Sequence, residues 1–231
     1  MKPYVENQHL AFAGPGQEQP TRESDVARKF QGTIAVPVGK RLLDTGLAAV
    51  GLALSAPLWG LMALAIKLED GGPVFYSQWR VGQAGRLFRT VKFRTMIPDA
   101  EETGGPVLAS PDDPRVTRAG KILRATAMDE LPQLLNILFG RMSFVGPRPE
   151  RPQFVEQFRG ETPGYEGRFQ VPPGLTGLAQ IYGHYNSSPR QKLRYELLYL
   201  RRRSLWLDLK LIAASFWVSF RGRWQHRGRK L

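Results

Sequence analysis

From Thr45 to Ile66 the chain runs for 22 residues without a charged side chain. As a helix this stretch is about 33 Å long, enough to cross the hydrocarbon core of a bilayer. The core helix of a soluble protein would keep a polar stripe on its outer face, and this stretch has none. Pro57, preceded by Ser55-Ala56, interrupts it near the middle. An interior proline removes one helix hydrogen bond and crowds the preceding turn, and Ser55 can satisfy a carbonyl freed there. The arms on either side, 45–56 and 57–66, each reach about half of the hydrocarbon thickness if the chain turns back. The flank before Thr45 carries Arg28, Lys29, Lys40 and Arg41, and the flank after Ile66 carries Lys67, Arg80 and Arg86. Such balanced flanks are not driven to opposite sides of a membrane. The expectation is a re-entrant helical hairpin with both ends cytoplasmic; the alternative is a kinked spanning helix.

Around this segment the domain organisation reads simply. Residues 1–37 form a polar tail, disordered over the first 30, too long a leader for an ordinary signal peptide. Residues 38–220 are one domain, and 221–231 are a basic tail. Lysine and arginine number 33 against 20 acidic residues, a net charge of +13, which implies a polyanionic partner: nucleic acid, anionic lipid or a phosphorylated substrate. There is no cysteine, so disulfides, thiol nucleophiles and cysteine-bound zinc are excluded. The only histidines are His9, His184 and His226, which leaves any catalysis to carboxylates, arginines and lysines.

Gly71-Gly72-Pro73 breaks the chain after the apolar segment. Val74–Val81 and Leu87–Met96 read as strands joined through Gly82–Gly85, with Lys92 and Arg94 on one face of the second. A Pro-, Gly- and Asp-rich loop follows over 98–114, then a helix over 129–138 and a stiff extended run over 143–152. The last helix, 204–220, repeats Leu205, Leu209, Ile212, Phe216 and Phe220 at spacings of three and four. Basic clusters (Arg201, Arg202 and Arg203 before; Arg221, Arg223, Arg227, Arg229 and Lys230 after) and Trp206, Trp217 and Trp224 accompany it. That pattern suits a helix lying in a membrane surface, and equally a globular helix with a solvated basic tail. The fold class is α+β.

Neither a P-loop nor a G-x-G-x-x-G pattern occurs. What remains is one adjacent carboxylate pair, Asp129-Glu130, with Arg118, Lys121 and Arg124 upstream and Arg148 between two prolines downstream. Locally, Thr126-x-x-Asp129 reads as a capping box at a helix start. Likewise Arg148 reads as a surface arginine, and Lys92 and Arg94 as a solvated strand face.

Taken together, the motifs resemble the bacterial sugar transferases known as monotopic phosphoglycosyl transferases. The matching stretches are KRLLD (40–44), FRTVKFRTM (88–96), DDPRVTRAGKILRAT (112–126), MDELPQLLNIL (128–138), MSFVGPRPE (142–150), PGLTGLAQIYG (173–183) and KLRYELLYLRRRSLWLDLKL (192–211), covering residues 38–220. The resemblance implies that Asp129 attacks the β-phosphorus of a UDP-sugar and expels UMP. An undecaprenyl phosphate then takes the phosphosugar, initiating glycan synthesis. It implies Mg²⁺ held by Asp129 and Glu130, with Lys92, Arg94, Arg124 and Arg148 on the substrate phosphates. It places a membrane-associated catalytic domain on the cytoplasmic face of the bacterial inner membrane, in contact with lipid and with no nucleic acid partner; a homodimer stays open. Mg²⁺, arginines and a helix N-terminus would offset the repulsion between an anionic nucleophile and a diphosphate. His184 stands where the family commonly has arginine, and a neutral histidine binds phosphate more weakly. The alternative is a basic membrane-binding protein without catalysis, which leaves the dyad and the Pro-Arg-Pro run unexplained.

Overall fold

The uncharged stretch lies inside one long helix, α1 (Val38–Asp70), 33 residues and about 50 Å. The computed structural model describes residues 32–98, 100–101, 113–183 and 187–221. The expected tail over 1–30, most of the 98–114 loop and the basic residues beyond Arg221 lie outside them. The helix is assigned without a break through Pro57, so the two arms expected there are one element. The Ser55 hydroxyl lies 3.4 Å from the Leu52 carbonyl and accepts from the Trp59 indole N–H at 3.1 Å. It does not serve Ala53, the carbonyl that Pro57 cannot bond. Gly71 ends the helix in the left-handed conformation (φ 70°), returning its N–H to the Lys67 carbonyl.

The sides of α1 differ. Asp44, Ala48, Ser55, Met62 and Ile66 are buried against the rest of the chain, while Leu42, Val50, Leu54, Leu61, Leu64 and Leu68 are exposed. Only 17% of its most apolar 18-residue window is buried, which separates it from the core helix of a soluble protein. The helix is long and apolar enough to cross a membrane.

The rest builds a mixed body along the buried side of α1. β1 (Phe75–Val81) and β2 (Leu87–Phe93) form the expected antiparallel hairpin, with Phe75 opposite Phe93 and Val81 opposite Leu87. Then come α2 (Arg118–Thr126), α3 (Gln133–Leu138), β3 (Ser143–Val145), α4 (Pro152–Glu161), β4 (Gly174–Thr176), α5 (Leu178–Tyr182), α6 (Pro189–Arg202) and α7 (Leu205–Phe220). β3 pairs in parallel with β4, Ser143 beside Gly174 and Val145 beside Thr176. Added Cβ atoms would lie 2.5 Å from the Pro172 carbonyl at Gly146 and 2.1 Å from the Gly146 nitrogen at Gly174, so this pairing needs glycine at both positions.

Both ends of α1 are tied to this one body. Near its N-terminus, Arg41 donates to the last carbonyls of α3, Ile137 and Leu138, at 2.7 Å each. Lys40 bonds Asp208 of α7 at 2.7 Å, and the Phe144 amide donates to Asp44 at 3.1 Å. At its C-terminus, Glu69 accepts from the first amides of α2, Arg118 and Ala119, at 2.6 and 3.0 Å. Ala48 packs with Leu134 and Ile137, and Met62 and Ile66 with Phe93 and Leu123. On α7 the repeating stripe faces outward: Leu205, Leu209, Phe216 and Phe220 are exposed, as are Trp206 and Trp217, while Leu211 and Asp208 are buried. Ile212, the remaining member of the stripe, packs against Val145, Tyr199 and Leu211.

Candidate active site

Three chain segments converge on one cluster. β2 delivers Lys92, the corner between α2 and α3 delivers Asp129 and Glu130, and the proline-bracketed run after β3 delivers Arg148. The corner is sharp. α2 starts on Thr117, whose hydroxyl accepts from the Gly120 amide, and ends at Ala127 in the left-handed region (φ 58°). That conformation costs a non-glycine residue roughly 1–2 kcal/mol. A 3₁₀ turn, Met128–Glu130, follows, and α3 begins after Pro132. The dyad therefore precedes α3 by a turn instead of opening it as expected. The Thr126 hydroxyl donates back to Ile122 and Leu123 at 2.9 and 3.2 Å. The capping box that local sequence suggested does not form, and Asp129 is not used as a cap.

The two carboxylates have unlike surroundings. Glu130 bonds Lys92 at 2.7 Å and takes both terminal nitrogens of Arg148, one of them at 3.3 Å. Asp129 accepts no hydrogen bond among the described residues; its nearest cation is Lys92, 4.0 Å away. It is 7% exposed. Burial, opposed by the attraction of Lys92 and reinforced by Glu130, pushes the Asp129 carboxyl up to about 6. Burial also pushes Glu130 upward, but Arg148 and Lys92 overcome it and hold its carboxyl well below the usual range. The Arg148 side chain is 44% exposed, so one face of this cluster is open to a ligand.

The remaining expected residues divide. Arg124 acts electrostatically on Asp129, with its Nε donating to the Thr95 hydroxyl at 2.8 Å. Arg94 is engaged elsewhere: 6% exposed, it forms a two-pronged bond to Asp70 at the end of α1 and donates to the Pro73 carbonyl at 2.6 Å. β2 ends at Phe93, so the strand alternation that paired Arg94 with Lys92 does not extend to it. His184 lies outside the described residues. Ser55 and Pro57 belong to α1 and are remote in sequence from the dyad's partners. For Mg²⁺, the Asp129 carboxylate, which accepts no hydrogen bond among the described residues, fits a hard cation that takes few protein ligands and completes its shell with phosphate oxygens and water. Glu130 could join only by giving up bonds to Lys92 and Arg148.

Sequence reasoning missed what holds the Arg148 segment. Residues 147–150 form no regular structure, yet each of their carbonyls accepts a hydrogen bond. Gly174 N–H donates to Pro147 at 2.8 Å and Val81 N–H to Glu150 at 3.0 Å. Arg168 donates to Arg148 at 2.7 Å and Arg80 to Pro149 at 3.2 Å. The prolines signalled stiffness, whereas the donors come from distant parts of the chain.

A family described as bacterial sugar transferase matches residues 35–222. The chain is 46% identical over 185 residues to a UDP-glucose:undecaprenyl-phosphate glucose-1-phosphate transferase of Caulobacter vibrioides, covering 78% of this chain and 68% of that protein. It is 43% identical over 176 residues to a UDP-N-acetylgalactosamine-undecaprenyl-phosphate N-acetylgalactosaminephosphotransferase of Aeromonas hydrophila, covering 75% of this chain and 41% of that one. It is 38% identical over 193 residues to the exopolysaccharide production protein ExoY of Rhizobium meliloti, covering 76% and 84%. Several relatives are thus much longer, and the chain spans about two fifths of them.

Proposed function

The chain belongs to the bacterial sugar transferase family, and from that premise we propose that it moves a sugar 1-phosphate from a UDP-sugar to undecaprenyl phosphate through Asp129. An Asp129 oxygen attacks the β-phosphorus, the bond from that phosphorus to the bridging oxygen breaks, and UMP leaves with that oxygen. The enzyme then carries an acyl phosphate bearing the sugar. A lipid phosphate oxygen attacks the same phosphorus, the acyl phosphate bond breaks, and the Asp129 carboxylate is regenerated. A covalent carboxylate route divides one difficult transfer into two easier ones. One observation carries this reading: of two adjacent carboxylates in one cationic cluster, Glu130 is fixed by Lys92 and Arg148, while Asp129 accepts no hydrogen bond among the described residues.

In this scheme Glu130 holds Lys92 and Arg148 in place, and those cations with Arg124 meet the phosphate oxygens, Arg148 in bidentate fashion. Asp129, with phosphate oxygens and water, would hold Mg²⁺, which when bound supplies charge neutralisation at the diphosphate. Relatives named for glucose and for N-acetylgalactosamine both match, so the donor is assigned as a UDP-sugar. Glycan assembly begins with this product, and ExoY's name fits such a role.

The lipid acceptor requires membrane association, for which α1 and α7 are built. Lys40 near one end of α1 and Glu69 and Asp70 at the other all bind the same polar body. A hydrocarbon slab cannot separate those ends without cutting through it. Both ends of α1 therefore stay on the cytoplasmic face, and α1 dips into the membrane without crossing it.

The test is a single-turnover experiment with Mg²⁺, a UDP-sugar and no acceptor. About one equivalent of UMP and a phosphosugar adduct on Asp129 by mass spectrometry are expected. Wild-type UMP release by Asp129→Asn would overturn the assignment.

A further inference from the structure

The buried ion pair between Arg168 and Glu196 takes no part in the chemistry above. Each residue is 3% exposed. Arg168 bonds Glu196 through Nε at 2.8 Å and through a terminal nitrogen at 2.7 Å. Its other terminal nitrogen donates to the Tyr165 hydroxyl. The guanidinium also lies 4.8 Å from the Tyr165 ring centroid and 5.7 Å from that of Phe169. One donation leaves this cage, to the main-chain carbonyl of Arg148 at 2.7 Å.

A buried ion pair contributes little net stability, because desolvation offsets its attraction. An apolar pair would fill the same space. What an apolar pair could not supply is an N–H donor held rigidly on one carbonyl. Pro147 and Pro149 fix φ on either side of Arg148, and Gly174 and Val81 hold the outer carbonyls. Arg168 holds the carbonyl of the residue in this run whose side chain reaches Glu130.

We propose that Arg168, oriented by Glu196, is a positioning residue that sets the placement of the Arg148 guanidinium against Glu130 and the substrate phosphates. The proposal rests on the Asp129–Glu130–Arg148 cluster being the active site assigned above. Misplacing a catalytic group by about 1 Å can cost on the order of a hundredfold in rate.

The test is the double variant Arg168→Met/Glu196→Leu in the full chain, in detergent. Swapping the pair for apolar residues of similar size leaves no buried charge unpaired, so the fold is retained. Turnover should fall by roughly ten- to a hundredfold, and in an Arg148→Ala background the same two changes should cause no further loss. The loss should appear in kcat at saturating donor, with the fraction of folded protein unchanged, a split that a general loss of fold would not give. Arg168→Lys serves should the double variant not fold: it keeps the charge but lacks the guanidinium, and the same outcomes apply.

Wild-type turnover in a folded variant, or losses that add to those of Arg148→Ala, would overturn the proposal. Asp129→Asn is assayed in parallel. If it still turns over, the assigned site has failed, and the positioning role is then judged by hydrogen exchange. The Gly174 and Val81 amides should exchange faster in the double variant, and unchanged protection overturns the role by itself.

Discussion

Asp129→Asn should abolish turnover and make the protein more stable. The side chain is 7% exposed, and its carboxyl is pushed from an ordinary 3.8 up to about 6, chiefly by burial. A carboxyl whose folded value is raised disfavours folding wherever the unfolded chain has already ionised it. At about 1.36 kcal/mol per pH unit, the rise from 3.8 to about 6 costs the folded state at most about 3 kcal/mol above pH 6. The cost shrinks below the folded value and vanishes near pH 4. Asparagine has nearly the same shape and carries no charge. The attraction of Lys92, 4.0 Å away, is already contained in that net rise, so the gain is about 1–3 kcal/mol at pH 7.5 once solvent relaxation is allowed for. For a chain of this size that is roughly 2–10 °C in thermal midpoint. Paired melts of wild type and Asp129→Asn in one detergent, from pH 4.5 to 8, measure it. The gap should be widest at pH 7.5 and close toward pH 4.5. An Asn variant no more stable at pH 7.5, or a gap independent of pH, would refute the idea that Asp129 is held under electrostatic strain.

Two further outcomes follow from the same cluster and from α1. Wild-type kcat/KM should lose activity below about pH 6 as Asp129 protonates; Lys92→Met removes the cation that lowers this value and should move the limb up by roughly one pH unit, read from pH profiles of UMP release. Cysteines placed singly at Ala35 and Leu68, both exposed, should react only with cytoplasmic reagents. Outer-face labelling of Ala35 would replace the dipping α1 with a spanning one. Gly72 is unsuitable as a probe position because a Cβ there would meet the Arg94 guanidinium at 2.7 Å.

How much of this was legible depended on whether the deciding partner was near in sequence. The β1–β2 hairpin was, because alternation and a glycine-rich connection are local signals. The apolar character of α1 was also legible, since 22 uncharged residues need no partner to be read. The extended run over 143–152 was visible as stiffness, but its parallel partner β4 was not, because nothing local in SFV points to GLT 31 residues later. Arg94 was misplaced for a related reason. Strand period two put it beside Lys92, but β2 ends one residue earlier, and Asp70, 24 residues upstream, claims the guanidinium. Arg168 and Glu196 were invisible as a pair, each looking like any charged residue on a polar segment until the fold buries both.

The dyad shows why composition and motif alone stop short of roles. Asp129 and Glu130 are neighbours with the same chemistry, and either could be written as the nucleophile. Their difference is imposed by Lys92, 38 residues before Glu130, and Arg148, 18 after it. The left-handed turn at Ala127 and the 3₁₀ turn that follows present the two side chains to different surroundings, which a regular helix over 129–138 would not do in the same way. Glu130 is one methylene longer and meets both cations. Asp129, shorter, stops 4.0 Å from Lys92 and keeps its oxygens uncommitted. In the proposed scheme the nucleophile needs a free oxygen to react, and the scaffold for two cations must be committed to hold them. Adjacent carboxylates in one cationic cluster meet both demands only when their neighbours differ, as they do here.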